Sequence, residues 1–456
     1  MRFITYAAVA SLCSVTSLSG CSNFLDSEKA VADPNNPTAA TTNQLFVASL
    51  ANIFGEQEGP VAMNVCEWMQ QCAGVGGRFV EVQGTYSISS DSFDGSFQSI
   101  YIGGGLNQIR QIEANTEASG DKLYHGIAEV VEAMDVLWGT DIWGDIPYSD
   151  AVGANPTPKF DPQQQIYADL LTLLDKAIAD IGAGGTGPGA YDLVYAGDAT
   201  KWTEAAHTLK ARIYLHQEEK LGAAQYTSAL AEARKGISKP ADDWNTVHSS
   251  ATSERNLWAQ FQLTSFGQDL VAGSALVNLM VAQNDPRLPE YFAKNSHGGF
   301  GGYNVATQTT PADSVSSILG SGRTNDVTFS QPIITYDETQ LIIAEAAFQT
   351  NDKASAATAL NAVRTRHGKS AIASPTLADI MNEKYIALFQ NVETWNDYKR
   401  TCLPALKPAK SKLVIPGRFL YGSTEVQTNP DNAKAENEQP ISTGRNWNDP
   451  NACPSS

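Results

Sequence analysis

Thr140-Asp141-Ile142-Trp143-Gly144-Asp145-Ile146-Pro147-Tyr148-Ser149-Asp150-Ala151 is the stretch on which the fold turns. It closes an apolar run in which Leu123, Ile127, Val130, Val131, Met134 and Trp138 recur at helical spacing on one face. Gly144 sits at a turn suited to positive φ. Asp145 beside it suits turn and cap hydrogen bonds, and Pro147 keeps the helix from continuing. The segment therefore reads as the end of a long helix and its tight exit.

The same period recurs outward from it. Ile166, Leu170, Leu173, Leu174, Ile178 and Ile181 form a second face, and Trp202, Ala205, Ala206, Leu209 and Ile213 a third. A weaker helix is predicted near 222–237. A polar, Gly-rich stretch near 183–189 separates the second helix from the third. Upstream, Phe46, Leu50, Ile53 and Phe54 share a face, with Thr41 or Thr42 as the cap. Further helices are predicted over 336–350, 353–366 and 376–391. Helix starts near 122, 162 and 199 lie about 40 and 37 residues apart, near the 34-residue period of a tetratricopeptide hairpin but degenerate. A hairpin with one apolar stripe buries it only against a neighbour, so stacking is expected.

The predicted fold class is mainly α: a tetratricopeptide-like helical-hairpin scaffold with long irregular insertions. Those insertions are 55–95 and 240–335. The first interleaves Trp68, Phe79, Tyr86 and Phe93 with Gly, Ser and Gln; the second holds Trp244, Trp258, Phe261, Phe266, Phe300 and Tyr303. Irregular regions of this length are usually functional when ordered. The last 50 residues are rich in Asn, Pro, Ser and Thr and show no clear period.

Arg2 followed by the apolar and small residues Phe3 to Leu18 reads as a secretory signal, too short and interrupted to span a bilayer. Leu18-Ser19-Gly20-Cys21 resembles a bacterial lipobox. Residues 1–20 are then a removable signal, Cys21 takes the diacylglycerol and acyl chains such as palmitate, and 21–40 form a polar lipid-anchored tether. Residues 41–456 are expected to form a single α-helical domain. Each buried CH₂ of the lipid contributes about 0.8 kcal/mol to anchoring. No later stretch reaches 18 uninterrupted apolar residues, so no membrane span is expected beyond the signal. The formal charge of -18 becomes -19 once residues 1–20, with their one Arg, are removed. So acidic a chain argues against nucleic acid and anionic lipid surfaces as partners.

Four cysteines follow Cys21, and an exported chain invites their pairing. Of three connectivities, a tight Cys66–Cys72 loop and a Cys402–Cys453 tie on the tail are favoured. No CxxC pair or histidine cluster points to a metal site.

More segments fall in order around the opening stretch. Asn23-Phe24-Leu25-Asp26 follows Cys21; then come Tyr101, Asn107 and Ile109; Phe160-Asp161 and Ile166-Tyr167; and Asp192 to Asp198 with Lys201-Trp202 and Leu209-Lys210-Ala211-Arg212. Later come Asp285-Pro286-Arg287-Leu288, Tyr336 with Glu338, Ala344-Glu345-Ala346, Glu383-Lys384, Trp395 to Arg400, and Ile415-Pro416-Gly417-Arg418 with Tyr421, Glu425 and Asn429. In this order the blocks resemble the SusD/RagB-type nutrient-binding outer-membrane lipoproteins over nearly the whole chain. Their own residues read as frame: Arg212 and Glu345 lie on helices beside apolar residues, where a partly buried ion pair fits.

The resemblance implies an anchored protein on the outer-membrane surface, facing the exterior. It would capture a nutrient, oligosaccharide first and peptide second, and hand it to a SusC-like TonB-dependent transporter without covalent chemistry. Sugar capture needs aromatic faces flanked by hydrogen-bonding groups. The family motif does not cover the loops. From their aromatics we take Trp68, Tyr86, Trp258, Phe261 and Tyr303 as ligand-binding candidates. A helical-repeat scaffold binding only protein partners is the alternative.

Catalysis finds no foothold. The six histidines are scattered, and no HExxH or G-x-S-x-G motif occurs. The glycines at 185, 187 and 189 include Pro188 and follow no strand, so they do not make a phosphate loop. No EF-hand calcium loop is present. No catalytic residue, cofactor or metal is expected.

Overall fold

A computed structural model of the chain describes residues 40–80, 86–409, 414–437 and 443–454. The predicted signal, Cys21 and nearly all of the tether lie outside the described residues. Contacts divide the chain into a short unit, Met1–Gln44, and a body, Leu45–Ser456. No helix among the described residues is long and apolar enough to cross a membrane.

The protein is mainly helical, as the periodicity predicts. The principal helices are α1 (Thr42–Glu58), α2 (Pro60–Trp68), α3 (Leu106–Ser119), α4 (Lys122–Trp143), α5 (Gln163–Ala183), α6 (Ala199–His216) and α7 (Ala224–Ala233). After the second insertion come α8 (Tyr336–Gln349), α9 (Lys353–Arg366), α10 (Leu377–Ala387) and α11 (Glu393–Thr401). Neighbours stack in series: α3 on α4, α4 on α5, α5 on α6, α6 on α7, α7 on α8, and α8 on both α9 and α10. Each single-faced helix thereby finds the apolar partner it lacks alone. Helix α4 is buried from Leu123 to Trp143 around its whole circumference, as suits the helix at the centre of the stack. Gly126 permits the closest approach in its hairpin, because a Cβ there would lie 2.6 Å from the Ala177 carbonyl oxygen on α5.

The opening stretch behaves as its residues dictate. Gly144 ends α4 with φ of 83°. The Asp145 carboxylate then accepts the Gln163 N–H at 2.8 Å, tying the exit of α4 to the start of α5. Ile146–Pro147 pairs antiparallel with Phe160–Asp161. The block from Asp192 folds around its carboxylate, which accepts N–H groups of Val194, Tyr195 and Gly197 and the Trp202 indole. Asp198 caps α6 through Thr200 and Lys201. These residues are frame.

The second insertion leaves the stack after α7 and returns at α8. Because α7 packs directly on α8, the roughly hundred residues between them (234–335) are a true excursion. Its neck is closed by Trp244–Asn245 pairing antiparallel with Pro332–Ile334. The two insertions also meet each other: Cys72–Gly74 of the first pairs antiparallel with Leu270–Ala272 of the second. Cys66 is bonded to Cys72 and Cys402 to Cys453, with Cα atoms 5.1 Å and 5.3 Å apart.

Two differences from the sequence reading have plain causes. Helix α2 lies inside the first insertion, where no helix is predicted. Val61 to Trp68 are all buried, so there is no polar face to generate a period. The ion pair expected for Arg212 and Glu345 also resolves differently. Arg212 bonds Glu338 instead, while Glu345 bonds Arg400.

Candidate functional site

Three of the five aromatic candidates belong to the core. Trp68 is 1% exposed and packs against Phe419, with ring centroids 4.7 Å apart, and against Trp395 at 5.6 Å. Tyr86 is 2% exposed; its hydroxyl accepts the Ala409 N–H at 3.0 Å, and burial pushes its pKa up to about 12. Trp258 is 0% exposed. None of these presents a ring face outward in this structure, so they are withdrawn as ligand contacts. No periodicity betrayed the burial of the two tryptophans: Trp68 ends α2, which is buried on all sides, and Trp258 sits in a short helix, Leu257–Gln262.

Phe261 and Tyr303 are half-buried. Phe261 makes an edge contact with Phe79 at 5.3 Å, linking the two insertions. Tyr303 lines a cavity of about 280 Å³ at the seam between them. Its backbone is held on both sides, its N–H donating to Ala272 and its carbonyl accepting from Ser274. The point from which the ring projects is thus set beside the inter-insertion sheet, and its hydroxyl makes no hydrogen bond among the described residues.

Around Tyr303 the cavity wall carries Gln262, Gln268, Thr310, Ser316 and Ser317 beside apolar Val75, Leu270, Val271 and Val315. Ser317 Oγ donates to Gln262 Oε1 at 3.2 Å, and Gln262 Nε2 donates to the Gly267 carbonyl at 2.8 Å. Those bonds fix one amide, while Gln268 is exposed. Leu263 and Phe266, next to wall residues in sequence, are 64% and 63% exposed. None of the wall residues is Asp, Glu, Lys, Arg or His. In so acidic a chain this is a neutral site of amides, hydroxyls and an aromatic ring, with the apolar floor and few convergent polar groups typical of small-ligand pockets. The sequence reading missed Gln262 and Gln268, whose signal was only proximity to Phe261.

Two larger spaces differ in character. A groove of about 570 Å³ is lined by Asn52, Glu56, Phe93, Ser99 and Trp138. A cleft of about 460 Å³ has Glu58, His248, Glu254 and Arg255 on its walls.

Two clusters among the described residues have metal-type side chains within 4.8 Å of one another. In His125–Glu129–Asp180, the Lys176 ammonium already bonds both carboxylates. In Asp141–His216–Glu393, burial would lower the His216 pKa, but the two carboxylates outweigh it and hold it at about 9. The imidazolium, bonded at 3.1 Å and 2.8 Å, fills the place of a cation.

A stack of helical hairpins with a neutral, loop-built pocket defines a binding protein of the helical-repeat class. Its family is shown by a profile described as "Starch-binding associating with outer membrane", which matches residues 34–422. The chain belongs to this SusD-like family and is a nutrient-binding SusD homologue of outer-membrane association. No curated protein matches the chain. Among solved structures it is similar to a SusD/RagB family protein from Bacteroides thetaiotaomicron, with 22% identity and TM-score 0.73, covering 90% of this chain and 99% of that one. It is also similar to a chitin-binding protein (22%, TM-score 0.74, 89% and 100% covered). A chitin-binding SusD homologue from Flavobacterium johnsoniae matches at 18% and TM-score 0.73, covering 89% and 98%. At these identities the likeness concerns the fold.

Proposed function

We propose that this protein is a surface lipoprotein, tethered through Cys21, that captures a neutral oligosaccharide in the Tyr303 cavity and hands it to a SusC-like TonB-dependent transporter. The observation that carries the reading is the cavity wall: one aromatic ring, amide and hydroxyl groups, and no charged side chain. A sugar presents apolar C–H faces to such a ring and hydroxyls to such amides. A peptide brings charged termini and side chains that the wall does not pair. Because backbone bonds at Ala272 and Ser274 hold the Tyr303 backbone in place, binding has only the side chain to order there. The starch-binding description of the family and the chitin-binding names of two structural relatives support a glycan.

The test is calorimetric titration of the chain lacking residues 1–21 with maltoheptaose, cellotetraose, chitotetraose and a charged tetrapeptide. A neutral glycan is expected to bind and the peptide not. Peptide binding with every glycan silent would contradict the reading. Cys21→Ala is expected to move the protein out of the membrane fraction and abolish palmitate labelling.

A further inference from the structure

We propose that the loop closed by the Cys66–Cys72 bond is a strut that positions the backbone of Tyr303, with Gln71 as its key residue. The inference rests on the reading of the Tyr303 cavity as the capture site, and none of residues 66–72 lines that cavity. The outer end of the strut is fixed to the helical stack. Gln71 is buried, and its side chain bonds the C-terminal end of α10 three times. Its Nε2 donates to the Tyr385 and Leu388 carbonyls at 2.8 Å and 3.4 Å, and its Oε1 accepts the Gln390 N–H at 2.9 Å. Tyr385 lies in the last turn of α10, where a helix leaves its carbonyls without a donor of its own. The Tyr385 hydroxyl returns a bond to the Met69 carbonyl at 2.6 Å.

The inner end meets the capture site backbone to backbone. The Gln71 carbonyl accepts the Gly273 N–H at 3.0 Å. Gly273 bridges to Tyr303, whose N–H donates to Ala272 at 2.8 Å and whose carbonyl accepts the Ser274 N–H at 3.0 Å. No side chain separates these segments. A Cβ on Gly273 would lie 2.1 Å from the Gln70 carbonyl oxygen, and one on Gly302 would lie 2.5 Å from the Gly273 carbonyl carbon. Segments packed this closely transmit displacement, so moving residue 71 moves 273 and then 303. The disulfide acts on the same line. It ties Cys72, the partner of Ala272 in the inter-insertion sheet, to α2. In the chain-entropy model a cross-link stabilises a fold more as its loop lengthens. Cys66 and Cys72 are 6 residues apart, Cys402 and Cys453 51. The shorter bond is thus the weaker staple of the two, and its distinctive effect is on position.

The test compares wild type with Gln71→Leu, with Cys66→Ser plus Cys72→Ser, and with Cys402→Ser plus Cys453→Ser as the control that opens the longer loop. Amide hydrogen exchange over 270–276 and 301–305, read by mass spectrometry, is expected to be about tenfold or more faster in the first two and as in wild type in the control. Either of the first two suffices if the other does not fold. Maltoheptaose, cellotetraose and chitotetraose are then titrated into each protein with and without Tyr303→Ala. The glycan that binds wild type is expected to bind about threefold or more weakly when the strut is cut, with little further loss once Tyr303 is alanine, because both changes act through one ring. Exchange as in wild type after cutting the strut would overturn the proposal. So would exchange raised equally by the control, or losses of affinity that add to that of Tyr303→Ala. Failure of every glycan to bind wild type would sink the capture reading alone, and exchange then decides the strut by itself.

Discussion

Arg212 grips Glu338 through two hydrogen bonds, Nε to Oε1 at 2.8 Å and Nη2 to Oε2 at 2.7 Å, across 126 positions of sequence. The same Nη2 donates to the Ile333 carbonyl at 2.9 Å. One side chain on α6 thus holds both the neck of the second insertion and the helix on which the stack resumes. Its carboxylate neighbours on α8 and α11 are buried too.

Removing one partner of a buried pair leaves the other charge uncompensated. Arg212→Met is therefore expected to destabilise the fold by about 3–5 kcal/mol. Adding Glu338→Leu should recover much of that loss, because the double variant leaves no unpaired charge at this pair. Urea denaturation of the single and double variants measures both.

The stack also carries acid pairs without enough cations. Glu56 on α1 faces Asp135 on α4; burial pushes Glu56 up from 4.5 to about 8. Burial and Glu132 push Glu113 up to about 9. A raised carboxyl contributes stability that is fully present below its unfolded value and lost as pH rises through its folded value. His216, at 6.5 unfolded and about 9 folded, contributes in the same direction. Lys399, held down to about 8 by burial, opposes them only between about 8 and its ordinary 10.5. Tm is therefore expected to fall as pH rises from about 5 to about 8. Glu56→Gln should flatten that fall, since a glutamine has no proton to lose. Thermal scans across that range decide it.

Trp258 is expected to matter for folding and not for capture. Trp258→Ala should cost about 3–5 kcal/mol by urea denaturation, while the folded fraction titrates ligand as wild type does. A selective loss of affinity without loss of stability would return Trp258 to the site.

Much of the frame was legible in the residues. The 3.6-residue period marked most helices of the stack because they have one buried and one solvent face; α4, buried all round, still repeats its large apolar residues on one stripe over 22 residues, a run that the nine-residue α2 is too short to show. The ordered blocks marked the family because Asp192, Asp198 and Arg212 make side-chain bonds that hold the frame, and Gly144 turns the chain at a φ of 83°. Helix α2 was not legible, being buried on all sides. The pocket was legible only in part. Aromatic content located the two insertions, but Trp68 and Trp258 inside and Tyr303 at the surface look alike in sequence. What separates them is the pairing of Cys72–Gly74 with Leu270–Ala272, a long-range contact with no local signature.

The most direct measurement is the affinity of the chain lacking residues 1–21 for the neutral oligosaccharide that binds it best, compared between wild type and Tyr303→Ala. Losing one stacking ring and its hydroxyl should weaken binding by about tenfold or more, with unfolding by urea unchanged. Equal affinity in the two proteins would contradict the placement of glycan capture at the Tyr303 cavity.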